Sequence, residues 1–142
     1  MKSKEFLTNL NKLAESLRQT IEASFTGWDD NPQSIAERRA NVFDPVGGFK
    51  YFLAHYVPHY IRNPELSELH KYLHKVLPEV ASNPESCLEA IAAPRGEAKS
   101  TIVSQLYTIW RIITAKTHYT LIVMDSIDQA YPMLEAIKAE LD

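Results

Sequence analysis

At 142 residues, 45% of them apolar and 23% charged, the chain is long enough to bury a domain core and too apolar to be disordered by composition. A net charge of −3 excludes a uniformly basic nucleic-acid surface and leaves room only for a local patch. One cysteine excludes a disulfide framework and a cysteine metal cluster. No run approaches the ~18 apolar residues of a membrane span and the N-terminus lacks a long apolar signal core, so the expectation is a soluble cytoplasmic protein.

Phe6, Leu7, Leu10, Leu13, Leu17, Ile21 and Phe25 recur at helical spacing, which predicts a first helix ending near Gly27. Trp28 to Pro32 reads as a loop. Ser34 with Glu37 fits a capping box, so a second helix is expected to start there and carry Ile35, Ala36, Ala40, Val42 and Phe43. Its Arg38 and Arg39 read as a solvated face, with phosphate or DNA contact as the alternative. Asp44 to Gly48 breaks the chain before its most aromatic segment, Phe49, Tyr51, Phe52, Tyr56 and Tyr60, which Pro58 should end or kink. His55 and His59 have the spacing of a metal pair but no evident third ligand, so aromatic packing accounts for them better.

Asn63-Pro64 reads as a helix start, and Leu66, Leu69, His70, Leu73, Val76 and Leu77 mark a helix that Pro78 is expected to close. A polar connection then leads to an apolar segment, Leu88 to Ala93, expected to be a strand with Cys87 as a buried thiol. Ile102, Val103, Leu106, Ile109, Trp110 and Ile113 predict a helix with one buried face. Tyr119 to Met124 is a continuous apolar run fitting a buried parallel strand, ended by Asp125. Ser126 with Gln129 caps a last helix carrying Ala130, Leu134, Ile137 and Leu141. The order strand, helix, strand, helix predicts an α/β fold: a helical region over 1–80, then an incomplete βαβα unit over 81–142.

Between the first expected strand and its helix lies Ala93-Pro94-Arg95-Gly96-Glu97-Ala98-Lys99-Ser100-Thr101. A loop opening a helix at Lys-Ser is the outline of a phosphate-binding loop. Free backbone N–H groups at the helix start face an anion, Lys99 would reach the β/γ phosphates, and Ser100 would ligate Mg²⁺. The usual pattern has glycine at both positions held here by Ala93 and Ala98, so the pattern alone leaves an ordinary charged connection as an equal alternative. Asp125, at the end of an apolar run, has the place of a Mg²⁺-coordinating acid, but Ser126 follows instead of a second acid; a turn-starting aspartate is the plainer reading.

The loop, the helix containing Trp110, the segment ending Asp125-Ser126, and Asp128-Gln129-Ala130 before Leu134 and Ile137-Lys138 resemble the N-terminal ATPase region of tailed-phage terminase large subunits. Those DNA-packaging motors commonly carry a deviant loop of the form A-P-R-G-x-A-K-[ST]-T. The resemblance covers Leu88 to Leu141 and extends more loosely to Tyr56 to Tyr60 and Ser67 to His70. It implies a RecA-like P-loop core and ATP and Mg²⁺ as cofactors. The implied phosphate site is Pro94, Arg95, Gly96, Glu97, Ala98, Lys99, Ser100 and Thr101, with Ser100 or Thr101 at the metal.

Arg95 matches a loop arginine placed near the γ-phosphate during hydrolysis, and would be the catalytic residue. His70 stands where relatives place an adenine-reading glutamine, and departs from it. Implied partners are phage DNA, portal and terminase small subunit, in the cytoplasm of a bacterial host. The second acid of the metal site, the coupling motif and the nuclease of that family are not in this sequence. The expectation is therefore an ATP-binding part of a motor, without appreciable turnover alone and prone to self-association through unpaired strand edges. The alternatives are a non-catalytic helical interaction protein or defective prophage remnant that binds no nucleotide, and a small NTPase using Glu97 or Asp125 as base.

Overall fold

The computed structural model describes residues 2–24, 27–61 and 65–141. It forms two compact units, Met1–Thr26 with Tyr119–Asp142, and Gly27–His118. Residue 80, the expected domain boundary, falls inside the second.

In the first unit, α1 (Lys2–Ser24) packs against α6 (Ile127–Leu141). Phe6, Leu10, Leu17 and Ile21 are half-buried while Leu7 and Leu13 are exposed, so one stripe of α1 turns inward. Phe6 meets Tyr131 edge-on at 6.0 Å. The Ser126 carbonyl accepts from the amides of Gln129 and Ala130 at 3.1 and 3.0 Å, which places the start of α6 where the sequence put it. Phe25 lies outside the described residues.

The second unit holds α2 (Pro32–Phe43), α3 (Gly48–His55), a 3-10 turn (Pro58–Tyr60), α4 (Glu68–Ser82), and a π-helical stretch (Thr101–Leu106) running into α5 (Tyr107–Ile113). α3 is its centre: Phe49, Phe52 and Leu53 are buried with Val42, Leu73, Leu77, Ile102, Leu106, Ile109 and Trp110. The Phe49 ring lies 5.5 Å from Trp110 and 5.7 Å from Tyr107. Trp110 donates its indole N–H to the Val42 carbonyl at 3.0 Å. Gly48 permits that corner, since a Cβ there would collide with the same carbonyl.

Several expectations need correction. The expected α/β fold does not form: 67% of the chain is helix and no strand occurs among the described residues. Leu88 to Ala93 and Tyr119 to Met124 have no regular secondary structure and carry no ladder, and they belong to different compact units. A strand is stabilised by neighbours on its edges and faces. Here Leu88 is 97% exposed, Tyr119 80% and Val123 82%, and only Ile91, Ala93, Ile122 and Met124 of the two segments are half-buried. Cys87 is exposed, not a core thiol.

Helix α2 starts at Pro32, ahead of the expected capping box, because the Asn31 side chain accepts from Gln33 N at 3.1 Å and Pro32 fits the first turn. Ser34 accepts instead from Arg38. The predicted start at Asn63-Pro64 lies outside the described residues; α4 begins at Glu68 with Ser67 as N-cap. Pro78 does not close α4, which continues to Ser82 with Pro78 buried. The lost bond to the His74 carbonyl is tolerated in a helix held by a buried face of Leu73, Leu77 and Pro78 itself.

Candidate functional site

The loop after Leu88 to Ala93 is built by two left-handed residues around one carboxylate. Pro94 leads into a turn at Arg95 and Gly96; Gly96 has φ 94°, Ala98 has φ 49°, and Glu97 lies between them. Helical geometry is present from Lys99 and Ser100 onward, and the Ala98 carbonyl accepts from Ile102 N at 2.9 Å. Alternation of handedness just before a helix turns successive amides toward one side, the backbone geometry of an anion-binding concavity. The standard phosphate-loop pattern has glycine at the position of Ala98, and here an alanine holds a positive φ.

Lys99 bends back over the loop, its ammonium donating to the Pro94 carbonyl at 3.3 Å. Arg95 is exposed, and its side chain has no hydrogen bond or ion pair among the described residues. Ser100 is exposed, Thr101 half-buried, and neither side chain caps the helix. No group of three or more His, Cys, Asp or Glu side chains stands together among the described residues.

Glu97 is held on both its side chain and its main chain by the start of α4. Ser67 Oγ donates to Glu97 Oε2 at 3.0 Å, and His70 Nε2 lies 3.0 Å from the Glu97 carbonyl. The structure therefore brings His70 against the loop and spends its Nε2 on the backbone. The pairing of Ser67 with Glu97 was not anticipated; the signal available in the sequence was Ser67 three residues before His70, an N-cap spacing.

Asp125, exposed at a bend, belongs to the other compact unit. The remaining candidates have local roles. Arg38 lies over the Trp28 ring at 5.0 Å and donates to the Asp29 carbonyl, while Arg39 lies over Phe43 at 5.4 Å. His55 stacks on Tyr51 at 4.1 Å and His59 packs by Tyr60 at 4.5 Å. His74, with Nδ1 buried and without a hydrogen-bond partner, is held below its ordinary pKa by burial, with His70 and Lys50 adding to the shift. No helix is long and apolar enough to cross a membrane among the described residues. No family model matches the chain, and neither a curated protein nor a solved structure matches it.

Proposed function

We propose that the loop from Pro94 to Thr101 binds the phosphates of Mg²⁺-ATP, and that the chain is an N-terminal part of a terminase-type DNA-packaging ATPase in a bacterial cytoplasm. One observation carries this reading: Ala98 is left-handed immediately before helical Lys99, with Gly96 left-handed two residues earlier. An alanine adopts that conformation at a cost of roughly 1 kcal/mol, and a loop shaped to present amides to an anion is a use for it.

In this reading the amides of Gly96 to Ser100 hold the phosphates. Lys99 exchanges the Pro94 carbonyl for a phosphate oxygen, and the Ser100 hydroxyl meets the metal. Mg²⁺ neutralises phosphate charge when bound. Arg95, unpaired and exposed, is free to reach the γ-phosphate. Binding rather than turnover is proposed for this chain, because Glu97 is engaged by Ser67. Phage DNA, portal and small subunit are the partners proposed for the complete motor.

Calorimetric titration tests the reading. Mg²⁺-ATP should bind the wild type, and Lys99→Ala should weaken it by about tenfold or more, the loss of a charge-assisted contact. A wild-type melting temperature identical with and without Mg²⁺-ATP would overturn it. That result would select the second reading, a helical interaction protein or prophage remnant that binds no nucleotide. The observation favouring the second is that Lys99 already satisfies itself on the loop's own carbonyl.

A further inference from the structure

We infer that Ser67 and His70 are positioning residues of the phosphate loop, and that His70 orients a loop amide instead of reading the base. The inference rests on the phosphate-site reading above. A carbonyl oxygen can only accept, so the contact at the Glu97 carbonyl requires the hydrogen of His70 on Nε2. The peptide joining Glu97 to Ala98 is planar and trans, so its C=O and N–H point in opposite directions. Fixing the carbonyl toward α4 therefore fixes the Ala98 N–H away from it. That amide belongs to the residue whose left-handed conformation shapes the loop.

Ser67 holds the other arm of the same residue. Its Oγ accepts from His70 N at 3.3 Å as N-cap, leaving the hydroxyl hydrogen for Glu97 Oε2 at 3.0 Å. One turn of α4 thus grips the side chain and the main chain of Glu97 together, across 30 and 27 residues of sequence. Each grip depends on the other: His70 is placed by the cap that Ser67 makes, and Ser67 is aimed by the amide of His70. With its Nε2 engaged on the backbone, His70 presents no free donor at that atom to an adenine edge.

The test compares Mg²⁺-ATP with Mg²⁺-tripolyphosphate, which has the phosphates but no base, on wild type, His70→Leu, His70→Gln and Ser67→Ala. Amide hydrogen exchange over residues 96–100 is followed in the ligand-free proteins. His70→Leu should weaken both ligands equally, by about fivefold, as expected for one lost hydrogen bond to a loop, and should speed exchange at 96–100. Gln, which keeps an N–H donor, should restore both, and Ser67→Ala should speed the same exchange. A His70→Leu protein weakened for ATP but not for tripolyphosphate would make His70 a base reader and overturn the inference. Unchanged exchange at 96–100 in His70→Leu would overturn it as well, even with the phosphate site intact. A wild type that binds neither ligand would instead remove the phosphate site, and this role with it.

Discussion

Trp110 and Val42 are joined by a hydrogen bond from the indole N–H to the backbone carbonyl, 3.0 Å long and closed over 68 residues, with Trp110 fully buried. It ties α5 to the end of α2 through the same carbonyl that Gly48 leaves room for. Trp110→Phe keeps most of the apolar bulk but strands the acceptor, and should cost about 1–3 kcal/mol. Trp110→Ala should cost about 3–5 kcal/mol by adding a cavity. Gly48→Ala should also destabilise, although it removes no contact, because the new Cβ meets the Val42 carbonyl. Urea unfolding followed by far-UV circular dichroism measures all three.

Stability should fall on mild acidification. His74 has its pKa depressed in the folded chain, first by burial and then by His70 and Lys50, so the unfolded chain binds a proton more readily than the folded one. The contribution of His74 is therefore present above the unfolded value of 6.5 and is lost as pH falls through the lower folded value. The urea midpoint should drop between pH 7.5 and pH 5, and His74→Leu should flatten that drop. An equally steep drop in the variant would assign the acid sensitivity to other groups.

Two alanines sit at positive φ and should respond differently to glycine. Ala115, with φ 52°, follows α5 in a Schellman arrangement: its N–H reaches Ile112 O at 3.0 Å and Lys116 N reaches Arg111 O at 3.1 Å. Ala115→Gly should raise stability by about 1 kcal/mol with no effect on nucleotide binding. Ala98→Gly should raise stability similarly while keeping Mg²⁺-ATP affinity, and Ala98→Val, β-branched in a left-handed site, should lose both. Thermal unfolding and titration calorimetry on the same preparations separate these outcomes.

The apolar segment Tyr119 to Met124 has no charged side chain, and Tyr119, Leu121 and Val123 are 80%, 71% and 82% exposed. Backbone outside any ladder that exposes β-favouring apolar side chains is a template for pairing with a second copy. Sedimentation velocity should show association that grows with protein concentration and diminishes in Leu121→Lys. A wild type that stays monomeric at all concentrations would refute the expectation.

Helices were legible in the chain because their signal is local. Phe6, Leu10, Leu17 and Ile21 mark an inward stripe whatever they face, and Pro58 stops α3 through its own ring. The strands were not legible, because Leu88 to Ala93 and Tyr119 to Met124 announce only a preference for extended backbone. Whether that becomes a sheet depends on partners elsewhere in sequence. The loop was half legible: Pro94 and Gly96 marked the turn and Lys99-Ser100 the helix start. The left-handed Ala98 has no signature of its own, and the grip of Ser67 and His70 on Glu97 is non-local. Pro78 misled because its missing N–H matters less in a helix already packed by Leu73 and Leu77 than in an isolated one.

The π-helical stretch at Thr101–Leu106 gives the helix a phase offset between its two ends. A wider turn accommodates one more residue than an α-helical turn, so everything before it is rotated by about 100° relative to a continuous α-helix anchored at Trp110. The direction in which Lys99 and Ser100 leave the loop is thus set by the winding of six residues, of which Ile102, Gln105 and Leu106 are buried. Rewinding that stretch to the α form would turn the loop end like a dial while Trp110 stays fixed on Val42.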